Sequence, residues 1–256
     1  LVGSEMCIRD RNDIQRVFKD GSSTFAATVK GIQILKKYNI QIGLSCTVGP
    51  ENLDSMCDYV EWAFNELGIS DIFLNFMKGS PSFGDPFRKI RTTTLYRKLH
   101  KIYDRIAQLG LIEGRIKRYA GLPTNGVSPY LYYCAAVGGG QFVFRPDGKI
   151  GLCHAGMMKD EDQFQTPQQL SDINEDSIWL EWLARTPVFM KDCYLSCDHF
   201  SRCPGGCAYR DRQLTGDLYC VHEETCKIER FLVERGIIEC YDHNSLMKPS
   251  SNPKAN

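Results

Sequence analysis

The amino-acid sequence predicts an α/β protein made of parallel βα units followed by a small cysteine-rich domain. Two observations indicate this class. Helical and strand-like patterns alternate through the first third of the chain, and six of its 12 cysteines lie between residues 193 and 226. Such alternation is typical of a parallel sheet. Clustered cysteines in a chain long enough to bury a core indicate metal binding more than stabilising disulfides.

The composition is that of a folded protein with no electrostatic preference for polyanions. Of the 256 residues 43% are hydrophobic, and 31 Lys and Arg balance 31 Asp and Glu. A chain without net charge gives no reason to expect a nucleic-acid partner or an anionic membrane surface. No run approaches the roughly 18 apolar residues that a membrane-spanning helix needs. We therefore expect a cytoplasmic protein with no nucleic-acid and no membrane partner.

Two helix–strand pairs are predicted in the first part of the chain. Apolar spacing predicts a helix over residues 22–38, capped by one of the two serines at its start, and a second helix over 51–67. Alternation predicts a strand over 40–48, and a short apolar run predicts a buried strand over 72–77. Two parallel strands cannot cover both faces of a sheet, so we expect them to belong to a larger one.

A third helix is predicted over 92–109, where apolar residues recur at helical spacing and Gly110 follows as a C-cap. The loop over 121–128 is the predicted domain boundary. Beyond it, Pro146-Asp147-Gly148 between two strand-like runs predicts a β-hairpin. Further helices are expected around residues 177–185 and over 223–235, the last one stopped by Gly236.

Four of the clustered cysteines are spaced closely enough to bind one or two metal centres. They follow the pattern Cys193-x3-Cys197-x5-Cys203-x3-Cys207, and Pro-Gly-Gly separates the last two. Soft thiolates select zinc, copper(I) or iron–sulfur clusters. The two glycines let the backbone approach a cluster and direct its amides at the sulfurs. Structural zinc needs only four ligands, and disulfides suit small secreted domains. Spacing alone leaves iron–sulfur, zinc and disulfides open.

The whole cysteine arrangement resembles the SPASM domain of radical S-adenosylmethionine (SAM) enzymes. That family has a Cys, a spacer, Gly-x4-Cys, a gap, Cys-x2-Cys-x5-Cys-x3-Cys, and a last Cys after another gap. Here 13 residues separate Cys134 from Gly148, which begins Gly-x4-Cys153. The central block departs from the pattern at Cys193, since three residues instead of two separate it from Cys197.

The resemblance implies two auxiliary iron–sulfur clusters of the [4Fe–4S] type. The first would be held by Cys134, Cys153 and Cys207. The second would be held by Cys193, Cys197, Cys203 and Cys226. Cys220 is the alternative to Cys226, which is favoured because it opens the last predicted helix. Some relatives supply a fourth ligand to the first cluster shortly before the position of Cys134, where this chain has no cysteine.

The resemblance also reaches the first part of the chain. Residues 16–25 look like the segment after the fourth strand of a (β/α)6 radical SAM barrel, so the two predicted strands would be its fifth and sixth. Residues 2–11 resemble a translated sequencing adapter. The expected organisation is 1–11 non-native, 12–125 the C-terminal portion of the barrel, 126–236 the SPASM domain and 237–256 a flexible tail.

Radical SAM enzymes hold their catalytic [4Fe–4S] cluster with Cys-x3-Cys-x2-Cys, and this chain lacks that motif. We expect the chain to be an N-terminally truncated piece that cannot generate the 5′-deoxyadenosyl radical by itself. The intact parent is expected to bind SAM and a third [4Fe–4S] cluster.

The function implied by the resemblance is hydrogen-atom abstraction from a peptide or protein substrate, as in ribosomal-peptide maturases. Alternatives are an anaerobic sulfatase maturase, a radical SAM dehydrogenase of a small alcohol, and a non-catalytic zinc-binding module. Sulfatase maturases carry an Asp base directly after the Gly-x4-Cys cysteine, where this chain has His154. His154 could act as a base near neutral pH or be structural. Asn75, near the end of the second strand, could contact SAM or substrate, or cap a loop.

Overall fold

The computed structural model of the chain describes residues 12–13, 16–79, 84–119, 132–156, 163–164 and 170–246. Helices occur together with parallel and antiparallel strands, which confirms the mixed α/β class. The chain divides into two compact units, residues 1–78 with 85–115, and residues 79–84 with 116–256. The predicted adapter, the loop over 121–128 and the last ten residues lie outside the described part.

The first unit contains a two-stranded parallel sheet. Strands β1 (Gly43–Val48) and β2 (Asp71–Phe76) pair in register from Gly43 opposite Asp71 to Val48 opposite Phe76. In β2 the buried Ile72, Leu74 and Phe76 alternate with more exposed residues. The buried strand that the sequence predicts is therefore present, and it is buried along one face. The partial barrel stays a prediction, since the described residues of this unit contribute only these two strands.

The helices of the first unit are α1 (Phe25–Lys37), α2 (Met56–Asn65) and α3 (Thr92–Gln108). Helix α1 begins with Thr24 as its N-cap rather than a serine, and Ser23 Oγ instead accepts from the amide of Phe25 at 3.2 Å. A 3₁₀ turn precedes α2, which is shorter than predicted at both ends. Helix α3 matches its prediction, and its inward face is buried at Leu95, Leu99, Ile102 and Ile106.

A buried carboxylate lies beside the outer edge of β2. The Leu74 amide donates to Glu113 Oε1 at 3.0 Å, and the Arg115 amide donates to Glu113 Oε2 at 2.9 Å. Successive amides of a strand point to opposite sides, and the pairing with β1 continues through the Met77 amide to Val48 O at 2.8 Å. The Leu74 amide therefore faces away from β1.

The second unit combines a small antiparallel sheet with short helices and one long helix. Strands β3 (Val143–Phe144) and β4 (Ile150–Gly151) flank the predicted turn, and β5 (Gln163–Phe164), which the sequence did not indicate, pairs with β4. The helices are α4 (Gly114–Tyr119, which begins in the first unit), α5 (Ser177–Leu183), α6 (Lys191–Ser196), α7 (Ala208–Thr215) and α8 (Glu223–Leu246).

Helix α8 runs through Gly236, so the prediction that this glycine ends the helix is wrong. A glycine inside a helix costs only about 1 kcal/mol relative to alanine. Burial of Phe231, Leu232 and Val233 on the preceding turn offsets that cost. The first ten residues of the predicted tail are helical as a result. None of the helices in the described ranges is long and apolar enough to span a membrane.

The core of the second unit is an apolar cluster around the tryptophans of α5. Its buried members are Ala136, Val137, Ile150, Leu152, Ile173, Trp179, Trp182, Ala208 and Leu218. Strand β4, helix α5 and the start of α7 therefore share one core. Two of the predicted metal-binding cysteines, Cys134 and Cys153, pack against this core.

Candidate metal centre

One pocket of the second unit is lined by four of the predicted metal-binding cysteines, namely Cys193, Cys197, Cys203 and Cys226. Three segments bring them there: helix α6 and its C-terminal cap, the turn that follows, and the first turn of α8. Cys220, the alternative to Cys226, is not among the residues that line the pocket. All four lining cysteines are half-buried free thiols.

Short-range backbone hydrogen bonds set the path of the first two segments. The amide of Cys197 donates to Cys193 O at 3.2 Å and closes helix α6. The amide of Cys203 then donates to His199 O at 2.8 Å, which forms a tight turn between the second and third cysteines. The three thiols thus belong to one compact segment, and Cys226 approaches from a different helix.

Burial raises the pKa of three pocket thiols. It raises the pKa of Cys193 to about 11, of Cys203 to about 12 and of Cys226 to about 11. Negative charge on neighbouring thiolates adds to the rise in pKa at each of them. Without a cation these three thiols are therefore protonated at neutral pH. Binding of a metal centre would release these protons and supply the missing positive charge.

A buried arginine holds the loop between Cys203 and Cys207. The Arg185 guanidinium donates to Gly205 O at 2.9 Å, to Gly206 O at 3.0 Å and to Leu218 O at 2.6 Å. It also pairs with the carboxylate of Asp211, whose other oxygen accepts from the Thr225 hydroxyl at 2.9 Å. Thr225 directly precedes Cys226. One network therefore ties the Pro-Gly-Gly loop to the start of α8.

Both glycines of that loop are required by their surroundings. Gly205 has φ +83° and Gly206 has φ +74°, in the left-handed region. A Cβ on Gly205 would lie 2.5 Å from Met190 Sδ, and one on Gly206 would lie 2.5 Å from Thr225 Cγ2. The backbone therefore passes close to the pocket wall, where only glycine fits. The approach of this backbone to a cluster, which the sequence predicts, stays a prediction.

Different metal centres need different spacings of their thiolate ligands. Tetrahedral zinc with bonds of about 2.3 Å places its sulfur ligands about 3.8 Å apart. In the described residues, no three Cys, His, Asp or Glu side chains are grouped closely enough to hold a metal ion. A four-iron cluster takes one thiolate on each iron and so needs a wider ring of ligands. The pocket presents four thiols, one for each iron of such a cluster.

The other three predicted ligands lie in the same unit. Cys134 and Cys153 both pack against the apolar cluster of the core. Cys207 is buried and forms the N-cap of α7, whose first residue Ala208 belongs to that cluster. The structure thus associates all three with one core. Their convergence on a common iron–sulfur cluster stays a prediction.

The two weaker site predictions involve exposed residues. His154 is exposed at the start of a 3₁₀ turn directly after Cys153. Asn75 is also exposed, and its Nδ2 donates to Ser45 Oγ on β1 at 2.6 Å. Cross-strand pairing of this kind is a structural use for Asn75. The roles in catalysis and in SAM binding stay predictions.

The sequence pattern did not indicate the polar side chains that share the pocket with the thiols. His199, Glu229 and Arg230 line it as well, and His199 Nε2 lies 3.2 Å from Glu234 Oε1. Helical spacing could have indicated Glu229, because it follows Cys226 by three residues and so shares its helix face. Arg185 carried no such signal, since its partners come from loops distant in the sequence.

Comparisons with known proteins relate the chain to radical SAM enzymes. No family model matches it. It is 21% identical over 227 residues to the radical SAM cyclopropyl synthase TigE of Paramaledivibacter caminithermalis, which covers 88% of this chain and 46% of TigE. It is 25% identical over 164 residues to the uncharacterized protein MJ0907 of Methanocaldococcus jannaschii, covering 61% of this chain and 52% of that protein. The chain thus spans about half the length of these relatives.

A solved structure shares the fold. Polyhistidine-tagged anSMEcpe with bound AdoMet superimposes with a TM-score of 0.67 at 15% identity, over 93% of this chain and 64% of that one. The chain therefore has weak sequence similarity to a radical SAM enzyme and the fold of part of an AdoMet-binding protein.

Proposed function

We propose that the chain is the iron–sulfur cluster-binding part of a radical SAM enzyme that modifies a peptide or protein substrate. One observation carries the proposal: the four cysteines that the sequence pattern assigns to one cluster line one pocket. They come from segments up to 33 residues apart in the sequence, between Cys193 and Cys226. The similarity to TigE over 88% of the chain supports the same conclusion.

The proposed second cluster is bound by the four pocket cysteines, and the first by Cys134, Cys153 and Cys207 with one iron open to another ligand. Iron–sulfur clusters supply electron transfer, and their potential depends on hydrogen bonds, charge and exposure. The residues of this chain would set those conditions. The Pro-Gly-Gly loop, fixed by Arg185, brings the backbone next to the proposed second cluster.

The proposed substrate of the whole enzyme is a ribosomally made peptide. The enzyme would bind SAM and a third [4Fe–4S] cluster in addition to the two auxiliary ones. Abstraction of a hydrogen atom from the peptide would begin the modification. The test is to incubate the full-length enzyme with SAM and candidate peptides encoded beside its gene and to measure peptide masses. Unchanged peptide masses with every such candidate, in an enzyme that cleaves SAM, would contradict the proposed substrate class.

A sulfatase maturase is the second candidate function, and the fold likeness to anSMEcpe over 93% of the chain favours it. Against it, an exposed His154 stands where that family has the Asp base. The two candidates are distinguished by offering the full-length enzyme a sulfatase-derived peptide in parallel. Oxidation of that peptide alone would favour the maturase.

Cluster binding itself is tested on this chain. We expect protein purified without oxygen and reconstituted with iron and sulfide to be brown, to contain iron and acid-labile sulfide in equal amounts, and to give an electron paramagnetic resonance (EPR) signal when reduced. Reconstitution with zinc in parallel is the control. A colourless protein that retains only zinc would contradict the proposal and favour a zinc-binding module.

A further inference from the structure

A buried carboxylate lines the pocket of the proposed second cluster. Glu229 is 5% exposed and lines the pocket of the four cysteines. Its Oε1 accepts from the Tyr133 hydroxyl at 3.0 Å, and its Oε2 accepts from the Tyr119 hydroxyl at 2.5 Å. Tyr133 directly precedes Cys134, a proposed ligand of the first cluster. Two hydroxyl groups thus fix the orientation of one carboxylate at the pocket wall.

The position of Glu229 makes its charge effective at the pocket. Water and salt screen exposed charges strongly, whereas a buried charge acts over several ångströms with little screening. Glu229 shares the lining of the pocket with all four thiols. A negative charge at this position would therefore act on any group bound in the pocket.

We propose that Glu229 lowers the reduction potential of the cluster bound by Cys193, Cys197, Cys203 and Cys226. Reduction adds an electron to the cluster, and a nearby fixed negative charge disfavours that addition. Glu229 is a positioning residue in this role: it binds no iron, and the two tyrosines hold it in place. This inference rests on the proposed function, since it requires the cluster to form.

The first test replaces the charge and keeps the shape. Glu229→Gln retains an oxygen that accepts a hydrogen bond from a tyrosine. The reduction midpoint of one cluster, followed by EPR in a redox titration of the reconstituted chain, is expected to shift to higher potential. The matched control is Glu223→Gln. Glu223 precedes Cys226 by three residues, as Glu229 follows it by three, but its side chain is exposed. The reduction midpoints of the Glu223→Gln variant are expected to equal those of the wild type.

A second variant changes the potential in the opposite direction. Tyr119→Phe keeps the carboxylate and removes one hydroxyl that partly neutralises it. The less compensated charge is expected to lower the midpoint of the same cluster. Far-ultraviolet circular dichroism and iron content establish that each variant is folded and loaded.

The outcomes separate the inference from the proposed function. If the wild-type chain binds iron and sulfide and Glu229→Gln leaves both midpoints unchanged, the inference fails and the proposed function stands. A rise in both midpoints, or an equal rise in Glu223→Gln, also overturns it. If the wild-type chain forms no cluster at all, both fail. If the Glu229→Gln variant binds no cluster, the midpoint of the Tyr119→Phe variant decides the question. An upward shift of that midpoint, or no shift, would contradict the inference.

Discussion

The Arg185 guanidinium and the Asp211 carboxylate form an ion pair in which Nη2 and Oδ2 are 2.7 Å apart and neither side chain is exposed to solvent. Arg185 also satisfies three backbone carbonyls, and Asp211 accepts from the His222 amide at 3.2 Å as well as from Thr225. A buried pair is stable only when its remaining hydrogen-bonding groups are satisfied in this way. The pair therefore organises the loops around the candidate metal centre.

Loss of the arginine is predicted to destabilise the second unit strongly. Arg185→Leu leaves the Asp211 carboxylate buried without its partner and releases three carbonyl groups, which costs about 3–5 kcal/mol of unfolding free energy. The measurement is urea unfolding of the metal-free protein, followed by circular dichroism. Arg212→Leu is the control, because Arg212 pairs at 3.4 Å with the more exposed Glu181, and such pairs contribute about 0–1 kcal/mol. Equal losses in the two variants would contradict this account.

The stability of the protein is predicted to fall between pH 4 and pH 6 because of Asp211. Burial raises the pKa of this carboxyl from 3.8 to about 6, against the opposing effects of Arg185 and two hydrogen bonds. The folded state holds a proton that the unfolded chain releases, so the contribution is complete below about pH 4 and is lost as the pH rises through about 6. The full effect is on the order of 3 kcal/mol.

Asp211→Asn removes this titration. The unfolding free energies of the wild type and of Asp211→Asn are measured from pH 4 to pH 7. As the pH rises, the wild type is expected to lose stability and the variant is not, so the two curves approach or cross. Curves that run parallel over this range would show that Asp211 keeps its ordinary pKa in the folded protein.

Glycine at position 206 is predicted to be required both for stability and for loading with iron. Gly206→Ala adds a Cβ at 2.5 Å from Thr225 Cγ2, next to Cys226. Gly216→Ala is a matched control: Gly216 has φ +79°, but nothing lies within 4 Å of the position of its Cβ. Both variants bear left-handed strain of about 1–2 kcal/mol, and only Gly206→Ala also bears an overlap of about 1–3 kcal/mol. Unfolding midpoints and iron content measure the two effects.

If Gly216→Ala lost as much stability and iron as Gly206→Ala, the left-handed backbone conformation alone would explain why position 206 requires glycine. The close approach of the loop to Thr225 would then have no consequence for the pocket.

Replacement of single cysteines is predicted to distinguish Cys226 from Cys220. Cys226 lines the pocket and Cys220 does not, although both are half-buried and only six residues apart. Cys226→Ser is expected to lower the iron and sulfide bound after reconstitution by about half, since one of two proposed clusters loses a ligand. Cys220→Ser is expected to bind as much as the wild type. The reverse result would assign the ligand to Cys220.

The elements that the sequence predicted well are those with a strong local pattern. The alternation over residues 40–48 predicted β1, and the apolar spacing over 92–109 predicted α3 almost to the residue. Gly110, with φ +71°, follows α3 as its predicted stop. These signals depend on neighbours within one or two turns of the chain, so no tertiary contact was needed to interpret them.

Elements that depend on distant contacts were predicted poorly. Strand β5 has two residues and exists because it pairs with β4. Helices α6 and α7 are short and lie among cysteines and glycines, and the sequence pattern did not indicate them. Helix α8 passes Gly236 because packing of its apolar residues outweighs the weak local propensity of one glycine.

The candidate site shows the same division. Cysteine spacing and the family pattern were enough to select Cys193, Cys197, Cys203 and Cys226, because close spacing of soft ligands is a local signal. Glu229, Arg185 and Asp211 hold or face the pocket through contacts between segments. A buried charge of this kind is defined only by its partners, and those partners are assigned by the fold.

The carboxylate of Glu113 has a consequence for association between molecules. An exposed strand edge is a template on which another chain can add a strand and begin to aggregate. At β2 the Leu74 amide, which such a strand would need, is already bonded to Glu113 Oε1. An incoming strand would have to displace a buried charged group from two backbone donors. At Leu74, intermolecular β-pairing along this edge is therefore opposed by a single side chain.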